Sequence, residues 1–370
     1  MKTIIFLLLN LLPIAVVAET SLHQSIDSAV NTEMEKQEIV GAAIGIVHQD
    51  QIFYTNSYGY ADFDSKLPMT DKTIFKLGSN SKPIIAMAAM QLAENGKLNL
   101  DEPIETYLPN TPSHLKHIST RQLLSHQSGI PHYEKGKAIP APQATLSVNE
   151  LNPAHSLYRF IDSPLIFDPG TKIGYSSYAY ILLTAIVQAA GKEGIAQQLN
   201  SRIERPIGLE SLQLDIPFKN QKNLAKGYVI KDGQPTQTID TPHFWKHGAG
   251  GYNSNIKDLT RFALALMNKE LIGEETSTKM WTRQKTNNGR LSTFGLGVIV
   301  SGNGKSLKIS HRGSQDGIHS RIVLFPNQKH GVVVMCNTED CKPGKISAAI
   351  YSQLKWLEKP VRGRLARRHR

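Results

Sequence analysis

Cysteine is nearly absent from this 370-residue chain, which has only two, and aromatic residues make up 7% of it. Two cysteines exclude a small disulfide-stapled scaffold. The 40% apolar and 20% charged residues are close to the globular average, which excludes wholesale disorder, collagen and coiled coil. Beyond the N-terminal segment, no apolar run is long enough to span a bilayer. The length fits one large domain with a subdomain, or two domains.

The formal net charge of +11 raises the question of a polyanionic partner such as nucleic acid. More than half of that charge lies in the tail, residues 359–370, which contains six Lys and Arg residues and no acid. A basic tail of this kind is typically solvated and disordered. We therefore expect no nucleic-acid partner, and only a weak, nonspecific contact of the tail with an anionic surface.

The N-terminus has the pattern of a secretory signal peptide. Lys2 supplies the positive charge, residues 4–12 form an apolar run, and residues 16–18 suit cleavage before Glu19. A retained first helix is the alternative. The signal predicts a periplasmic or secreted protein without a transmembrane segment. The predicted parts are a signal peptide at 1–18, a folded domain at 19–358 and a basic tail at 359–370.

The two cysteines, Cys336 and Cys341, are separated by four residues of turn-like sequence. In an oxidising compartment they could close a small disulfide loop, and two free thiols are an equal alternative. Neither has the histidine or carboxylate arrangement of a catalytic thiol or a zinc site. His114 and His117 have a loose metal-ligand spacing, but we interpret them as surface residues. The sequence thus predicts no metal site and no cofactor.

Strand patterns lie at both ends of the chain, and helical patterns lie between them. A hairpin is predicted within 40–60, and further strands are predicted at 294–300, 307–310, 319–325 and 332–336. Helices are predicted at 79–94, 120–126, 178–190, 256–268 and 346–357. This order predicts an α/β fold of the α+β type. One antiparallel sheet is built from both termini and flanked by helices, and a mainly helical subdomain is inserted into it.

The common hydrolase motifs G-x-S-x-G and H-E-x-x-H are absent, but S-x-x-K occurs four times. The pattern carries chemistry only at a helix start. There residues i and i+3 share a face, and free backbone N–H groups stabilise developing negative charge. Only Ser79 and Lys82 follow a strand hairpin and open a long apolar helix. The other three pairs begin at Ser113, Ser254 and Ser352.

The region around Ser79 resembles the nucleophile region of the class C β-lactamase and penicillin-binding-protein family. The sequence around His126 and Tyr175 is most similar to the mitochondrial β-lactamase-like serine protease branch. The resemblance implies a β-lactamase/transpeptidase-like fold and a serine hydrolase. It runs from about residue 35 to 355, and its matching segments, in the family's order, are 75–83, 95–101, 121–130, 168–171, 175–177, 248–252 and 311–313.

The resemblance also implies roles for individual residues. Ser79 is similar to the nucleophile that forms the acyl-enzyme, and Lys82 matches the lysine that helps to deprotonate it. Tyr175 matches the tyrosine that accepts the serine proton and returns it to the leaving group. The backbone N–H groups of Ser79 and Ser314 would form the oxyanion hole. A phenol and an ammonium in contact are expected to lower the pKa of one another.

Two departures from the family narrow the expected substrate. The family's Y-x-N motif places an amide beside the substrate, whereas Ser177 offers only a short hydroxyl. The K-T-G motif is replaced by His311, Arg312 and Gly313. Histidine is mostly neutral at pH 7, and Arg312 either restores the missing charge or points away from the cleft. Both departures argue against efficient hydrolysis of β-lactams.

We therefore predict a serine hydrolase that acts by acyl transfer on a peptide, an ester or a D-amino-acid amide. A β-lactamase or D-Ala-D-Ala carboxypeptidase is the first alternative. A penicillin-recognising or wall-binding scaffold that acylates slowly or not at all, without turnover, is the second. The sequence lacks the metal ligands that a metal hydrolase would need. A small peptide, ester or β-lactam-like molecule is the expected substrate, while the acyl group, the leaving group and the oligomeric state stay open.

Overall fold

A computed structural model describes residues 12–133, 151–216 and 223–354 of the chain. They form a seven-stranded antiparallel sheet with terminal helices on one face and a larger helical region on the other. The first eleven residues of the predicted signal peptide and the whole basic tail lie outside the described residues. The predicted signal peptide and its cleavage before Glu19 therefore stay predictions.

Twelve strands are described. They are β1 Gly41–His48, β2 Gln51–Asp62, β3 Leu67–Pro68, β4 Phe75–Lys76, β5 Gln213–Leu214, β6 Tyr228–Lys231, β7 Gln234–Gln237, β8 Tyr252–Ser254, β9 Ile299–Ser301, β10 Lys308–Gln315, β11 Ile318–Phe325 and β12 His330–Cys336. The main sheet has the order β3-β2-β1-β12-β11-β10-β9, and Ile44 of β1 lies opposite Val334 of β12. The first and last long strands are therefore neighbours, and the prediction of a sheet built from both termini is confirmed.

Nine α-helices are described. They are α1 Leu12–Lys36, α2 Ser81–Glu94, α3 Thr120–Leu124, α4 Tyr178–Gly191, α5 Ile195–Leu199, α6 Arg205–Ile207, α7 Ile256–Asn268, α8 Glu274–Trp281 and α9 Pro343–Leu354. The predicted helices correspond to α2, α3, α4, α7 and α9, although α2 begins at Ser81 after a short 3₁₀ turn, Gly78–Asn80. Helix α1 is not among the predicted helices, although a retained first helix was the alternative to the signal peptide. It packs against α9 on the outer face of the sheet.

The interior strand β1 is buried on both faces. Its residues alternate between two cores: Ala42, Ile44 and Ile46 join the core under α1 and α9, whereas Ala43 and Val47 join the core under the helical region. This follows from the period of two in a strand, which sends successive side chains to opposite faces. A strand covered on both faces needs apolar residues at every position, which explains the nearly unbroken apolar run.

The prediction of a strand at 294–300 is wrong over most of its length, since β9 begins only at Ile299. The segment before β9 bonds to the helical region instead of to β10: the backbone N–H of Gly297, at φ +89°, donates to the carbonyl oxygen of Leu124 over 3.1 Å. This path brings Phe294 to the cleft described below. Beyond β9, the edge of β10 is left open from His311 onward.

Cys336 and Cys341 form a disulfide, with Cα atoms 6.7 Å apart, so of the two alternatives the loop closure is confirmed. The bond joins the end of β12 to the residues that lead into α9. It therefore determines where the chain leaves the sheet beside the cleft.

Replacing both cysteines (Cys336→Ser with Cys341→Ser) is expected to lower the free energy of unfolding by about 2 kcal/mol, because a loop this short restricts the unfolded chain only modestly. Urea unfolding of the variant and the wild type measures the difference. The wild type in reductant is the control and should unfold like the variant. An unchanged midpoint in both would show that the disulfide does not stabilise the fold.

Candidate active site

Ser79 lies in the 3₁₀ turn between β4 and α2, at the border of the sheet and the helical region. The turn begins with Gly78 at φ +52°, and a Cβ there would come within 2.7 Å of the backbone nitrogen of Ser314. Only glycine permits both the left-handed backbone and this approach. The turn therefore places Ser79 directly against β10.

Gly313 allows the same close approach from the β10 side. A Cβ at this position would lie 1.9 Å from the carbonyl oxygen of Leu77. That carbonyl accepts a hydrogen bond from Ser320 of β11 over 2.7 Å, and the same hydroxyl accepts one from the side-chain amide of Asn80 over 2.7 Å. The Gly78–Asn80 turn and the two strands are thus held together by these buried hydrogen bonds.

Lys82 lies one turn into α2 and is completely buried. Its Nζ is 3.1 Å from the Ser79 Oγ, 3.0 Å from the Ser177 Oγ and 2.5 Å from the carbonyl oxygen of Ala249. Burial holds the pKa of Lys82 well below its ordinary value, because a buried ammonium loses its hydration. A neutral amine has two N–H donors and one lone pair, which matches these three contacts.

Tyr175 donates its hydroxyl to the Ser79 Oγ over 2.8 Å. The Lys82 Nζ is 5.0 Å from the centre of its ring. Burial raises the pKa of Tyr175, although its hydrogen bonds to Ser79 and Ser177 act in the opposite direction. The pKa of Lys82 is lowered in the expected direction, but by burial and not by its contact with the phenol. For Tyr175 the expected direction is wrong, because burial penalises the phenolate and raises the pKa.

The other three S-x-x-K pairs have no such surroundings. Ser113 is exposed on a turn, and Ser254 contacts the Ser211 hydroxyl while Lys257 is paired with Asp71. The Ser352 hydroxyl donates to the carbonyl oxygen of its own helix at Ala349, and Lys355 lies outside the described residues. Within the part of the chain that the structure describes, the pattern assembles a site only at Ser79.

Ser177, which the sequence placed beside the substrate, is buried at the start of α4. Its hydroxyl accepts from Lys82, and its backbone N–H donates to the Nδ1 of His132 over 3.2 Å. Ser177 therefore helps to position the Lys82 amine through this hydrogen bond. This contact uses the hydroxyl at a position where the family motif would offer an amide.

The predicted substrate-side residues His311, Arg312, Gly313 and Ser314 all line one cleft with Ser79 and Tyr175. His311 is buried and its Nδ1 lies 3.0 Å from the carbonyl oxygen of Arg312. Burial, together with the nearby Lys82, lowers the pKa of His311 to about 3, so this side chain carries no charge at neutral pH. Arg312 also lines the cleft, but from the face of β10 opposite to that of His311, since it pairs with Arg321, which in turn pairs with Val334 of the core under α1 and α9.

The cleft has a volume of about 810 Å³. Most of its walls come from four places in the chain: the Gly78–Asn80 turn, the segment before α4, the open edge of β10 and the residues from Cys341 to the start of α9. The lining residues are Ser79, His132, Tyr133, Tyr175, Ser177, Phe294, Ile299, His311, Arg312, Gly313, Ser314, His319, Ser320, Arg321, Cys341, Lys342, Pro343 and Gly344.

Sequence reasoning gave no role to two histidines behind the catalytic group. The Nδ1 of His126 accepts the backbone N–H of Ser176 over 3.2 Å, and its ring centre lies 4.4 Å from that of Tyr175 and 4.6 Å from that of Phe294. Burial holds the pKa of His126 well below its ordinary value. His132 supports Ser177 in the same way, and burial lowers its pKa to about 4. Both residues lie in or next to a matching segment, but no spacing rule connects them to the tyrosine.

No group of three His, Cys, Asp or Glu side chains among the described residues could hold a metal ion. The same residues contain no helix with the length and apolarity needed to cross a membrane.

The site and the fold together define a class: proteins with a Ser-x-x-Lys pair at the start of a helix packed against an antiparallel sheet. The chain belongs to the Beta-lactamase family, whose model matches residues 26–352. The mixed α/β architecture is the β-lactamase/transpeptidase-like fold, as the resemblance implied.

Relatives and solved structures agree with this assignment. The chain is 25% identical to Protein flp of Staphylococcus aureus over 322 residues, which are 85% of this chain and 63% of that protein, so it spans less than two thirds of this relative. The D-amino acid amidase of Ochrobactrum anthropi has the same fold, with a TM-score of 0.76 at 20% identity over 92% of this chain and all of that one. The Beta-Lactamase/D-Alanine Carboxypeptidase of Pseudomonas syringae has a TM-score of 0.73 at 19% identity, with 92% and 100% covered.

Proposed function

We propose that this protein is a secreted serine hydrolase that forms an acyl-enzyme at Ser79 and acts on a peptide, an ester or a D-amino-acid amide. The observation that carries the proposal is the position of the Ser79 Oγ, which lies 3.1 Å from the Lys82 Nζ and 2.8 Å from the Tyr175 hydroxyl. A serine hydroxyl is a weak nucleophile until a neighbouring base takes its proton.

Lys82 is the group that we assign as this base. Its lowered pKa leaves a neutral amine, which accepts the Ser79 proton as the oxygen attacks the substrate carbonyl carbon. The negative charge moves to the carbonyl oxygen, which the backbone N–H groups of Ser79 and Ser314 stabilise.

Tyr175 keeps its proton because its pKa is raised, and it donates that proton to the leaving group as the carbonyl–leaving group bond breaks. The phenol then regains a proton from Lys82. Ser177 connects the two groups, because its hydroxyl contacts both Lys82 and Tyr175. Water replaces the leaving group in the second half of the reaction, and the same groups act in reverse order.

The substrate class in this proposal draws support from two features. A neutral His311 stands where lysine would hold the carboxylate of a β-lactam, and the Ser177 hydroxyl is engaged with Lys82 rather than offered to an amide. The structural likeness to a D-amino acid amidase, at 20% identity, is consistent with an amide substrate. β-Lactamase or D-Ala-D-Ala carboxypeptidase activity is the second candidate, favoured by the likeness to the Pseudomonas syringae enzyme.

Export is part of the same proposal. The Cys336–Cys341 disulfide supports it, since such bonds persist in oxidising compartments. The predicted signal peptide at 1–18 is the feature that would direct the chain there.

Intact-mass spectrometry tests the function. Purified protein is mixed with D-Ala-D-Ala peptides, p-nitrophenyl esters and β-lactams, and each is followed for a covalent adduct and for turnover. Transient adducts with esters or amides, and slow or no release of β-lactams, are expected. Rapid cephalosporin turnover would support the second candidate, and lasting adducts with every substrate would support the scaffold.

The pH dependence of kcat/KM is expected to show one acidic limb. Activity falls as the pH drops through the lowered pKa of Lys82, because protonation removes the base, and it stays level into the alkaline range because Tyr175 keeps its proton. His311 and His132, with pKa values of about 3 and about 4, add no limb near neutral pH. A stopped assay with an ester substrate measures the profile. An increase of tenfold per unit between about pH 8 and 10 would show instead that Lys82 keeps its ordinary pKa.

A further inference from the structure

Two arginines stand side by side on the wall of the cleft. Arg312 of β10 and Arg321 of β11 are directly opposite one another in the antiparallel register, and both line the cleft. Like charges at directly opposite positions destabilise a sheet unless something compensates them. A third cation, Lys342, lines the same wall.

The positions of the last two cations are determined by the fold. The Arg321 guanidinium lies against the first turn of α9, since its Cζ is 3.7 Å from the place that a Cβ on Gly344 would occupy. Lys342 follows the disulfide-bonded Cys341 directly, and its backbone N–H donates to the side chain of Gln37 over 2.8 Å. The basic wall, as we call Arg312, Arg321 and Lys342, is therefore built from three separate parts of the chain.

The basic wall has no acidic partner in the part of the chain that the structure describes. None of its three side chains forms an ion pair with a described residue, and the buried Nε of Arg321 has no hydrogen-bond acceptor there. Asp316, the acid nearest in sequence to the two arginines, is paired with Lys76 and His243. Glu339 and Asp340, the acids nearest to Lys342, are exposed. Burial, and to a smaller extent the charge of Arg312, lower the pKa of Arg321.

The wall is close to the reacting groups. Arg312 is near enough to Tyr175 for its charge to lower the pKa of that phenol, and both residues share the cleft with Ser79. A ligand on the wall would therefore be part of the molecule that Ser79 attacks, or would compete with it.

We propose that the basic wall binds a group with two negative charges on the substrate, such as the two carboxylates of a chain-terminal Asp or Glu residue. Each guanidinium can hold one carboxylate through two parallel N–H donors, and Lys342 adds a third charge. Three cations exceed what one carboxylate requires. This assignment deepens the proposed function and rests on it: the substrate is a dianionic ester or amide.

Competition with a neutral fluorophosphonate that labels Ser79 tests the assignment. Glutarate, which carries two carboxylates, is expected to slow labelling of the wild type by about tenfold or more at a concentration where glutaramide has no effect. Arg321→Gln is expected to lose this protection. The matched control is Arg290→Gln, which removes an exposed arginine outside the cleft and should keep it. Equal protection by glutarate and glutaramide, or full protection in Arg321→Gln, would overturn the proposal.

Two further measurements keep the test decisive. Arg321→Lys preserves the charge but not the forked donors, so glutarate should protect it from labelling less than it protects the wild type. This variant tests the proposal if Arg321→Gln fails to fold. If no serine is labelled at all, the proposed function fails. In that case, a glutarate-dependent increase of the Tm in the wild type and in Arg290→Gln, but not in Arg321→Lys, would still support binding of a dianion at the basic wall. An unchanged Tm in the wild type would overturn it.

Discussion

Ser79→Ala is expected to abolish the covalent adduct and to lower kcat/KM by about 10⁴-fold or more, the range found when a serine nucleophile is removed. The physical reason is the contact geometry: the Ser79 Oγ lines the cleft and contacts both Lys82 and Tyr175. Alanine leaves these two groups in place but removes the oxygen that bonds to the acyl carbon. Intact-mass spectrometry and steady-state kinetics on the same preparation measure both effects.

Two serine controls sharpen this result. Ser113→Ala alters an exposed S-x-x-K serine and should leave both adduct and turnover at the wild-type level. Ser177→Ala removes the other hydroxyl that contacts Lys82, and it should slow the reaction but keep the adduct. If the adduct survived in Ser79→Ala and vanished in Ser177→Ala, the nucleophile would be Ser177 and the proposed mechanism would be wrong.

Lys82→Arg is expected to lower kcat by about 10³-fold, within the range that general base catalysis contributes. The guanidinium keeps a positive charge and several N–H donors, but it does not lose its proton in proteins. It therefore preserves any electrostatic effect of Lys82 while removing the neutral amine that the lowered pKa provides. Single-turnover kinetics of acylation measure the loss directly.

The matched control is Lys116→Arg, the same substitution in the S-x-x-K pair of Ser113, where no change is expected. Circular dichroism and the Tm of Lys82→Arg show whether the larger side chain has disturbed the buried site. A folded Lys82→Arg variant that acylates at the wild-type rate would show that Lys82 acts as a charge and not as a base.

Much of this molecule could be read from its sequence because the relevant signals are local. The β1–β2 hairpin and α2 follow from alternation and helical periodicity within short windows. The choice of Ser79 over the other three S-x-x-K serines depended on one local fact, that a strand and a loop lead into a long apolar helix there. Helix α1 was not predicted because its first residues, 12–18, lie within the predicted signal peptide. The predicted strand at 294–300 was wrong because Gly297 turns the backbone towards α3.

The charge states of the site residues could not be predicted from the sequence in the same way. The sequence could name Lys82 and Tyr175, but whether the pKa of each is raised or lowered depends on burial. Burial cannot be inferred from a short stretch of sequence. The same applies to Ser177, whose hydroxyl is used to hold the lysine.

By itself, then, the sequence determined the sheet built from both termini, the inserted helical region and the serine, lysine and tyrosine of the candidate site. Only the tertiary structure decided that the disulfide is closed, and that Arg312, Arg321 and Lys342 line one cleft. The physical reason is distance along the chain. Patterns of two and of 3.6 residues report what one element does, whereas a charge acquires its neighbours, and its pKa, only when separate elements pack together.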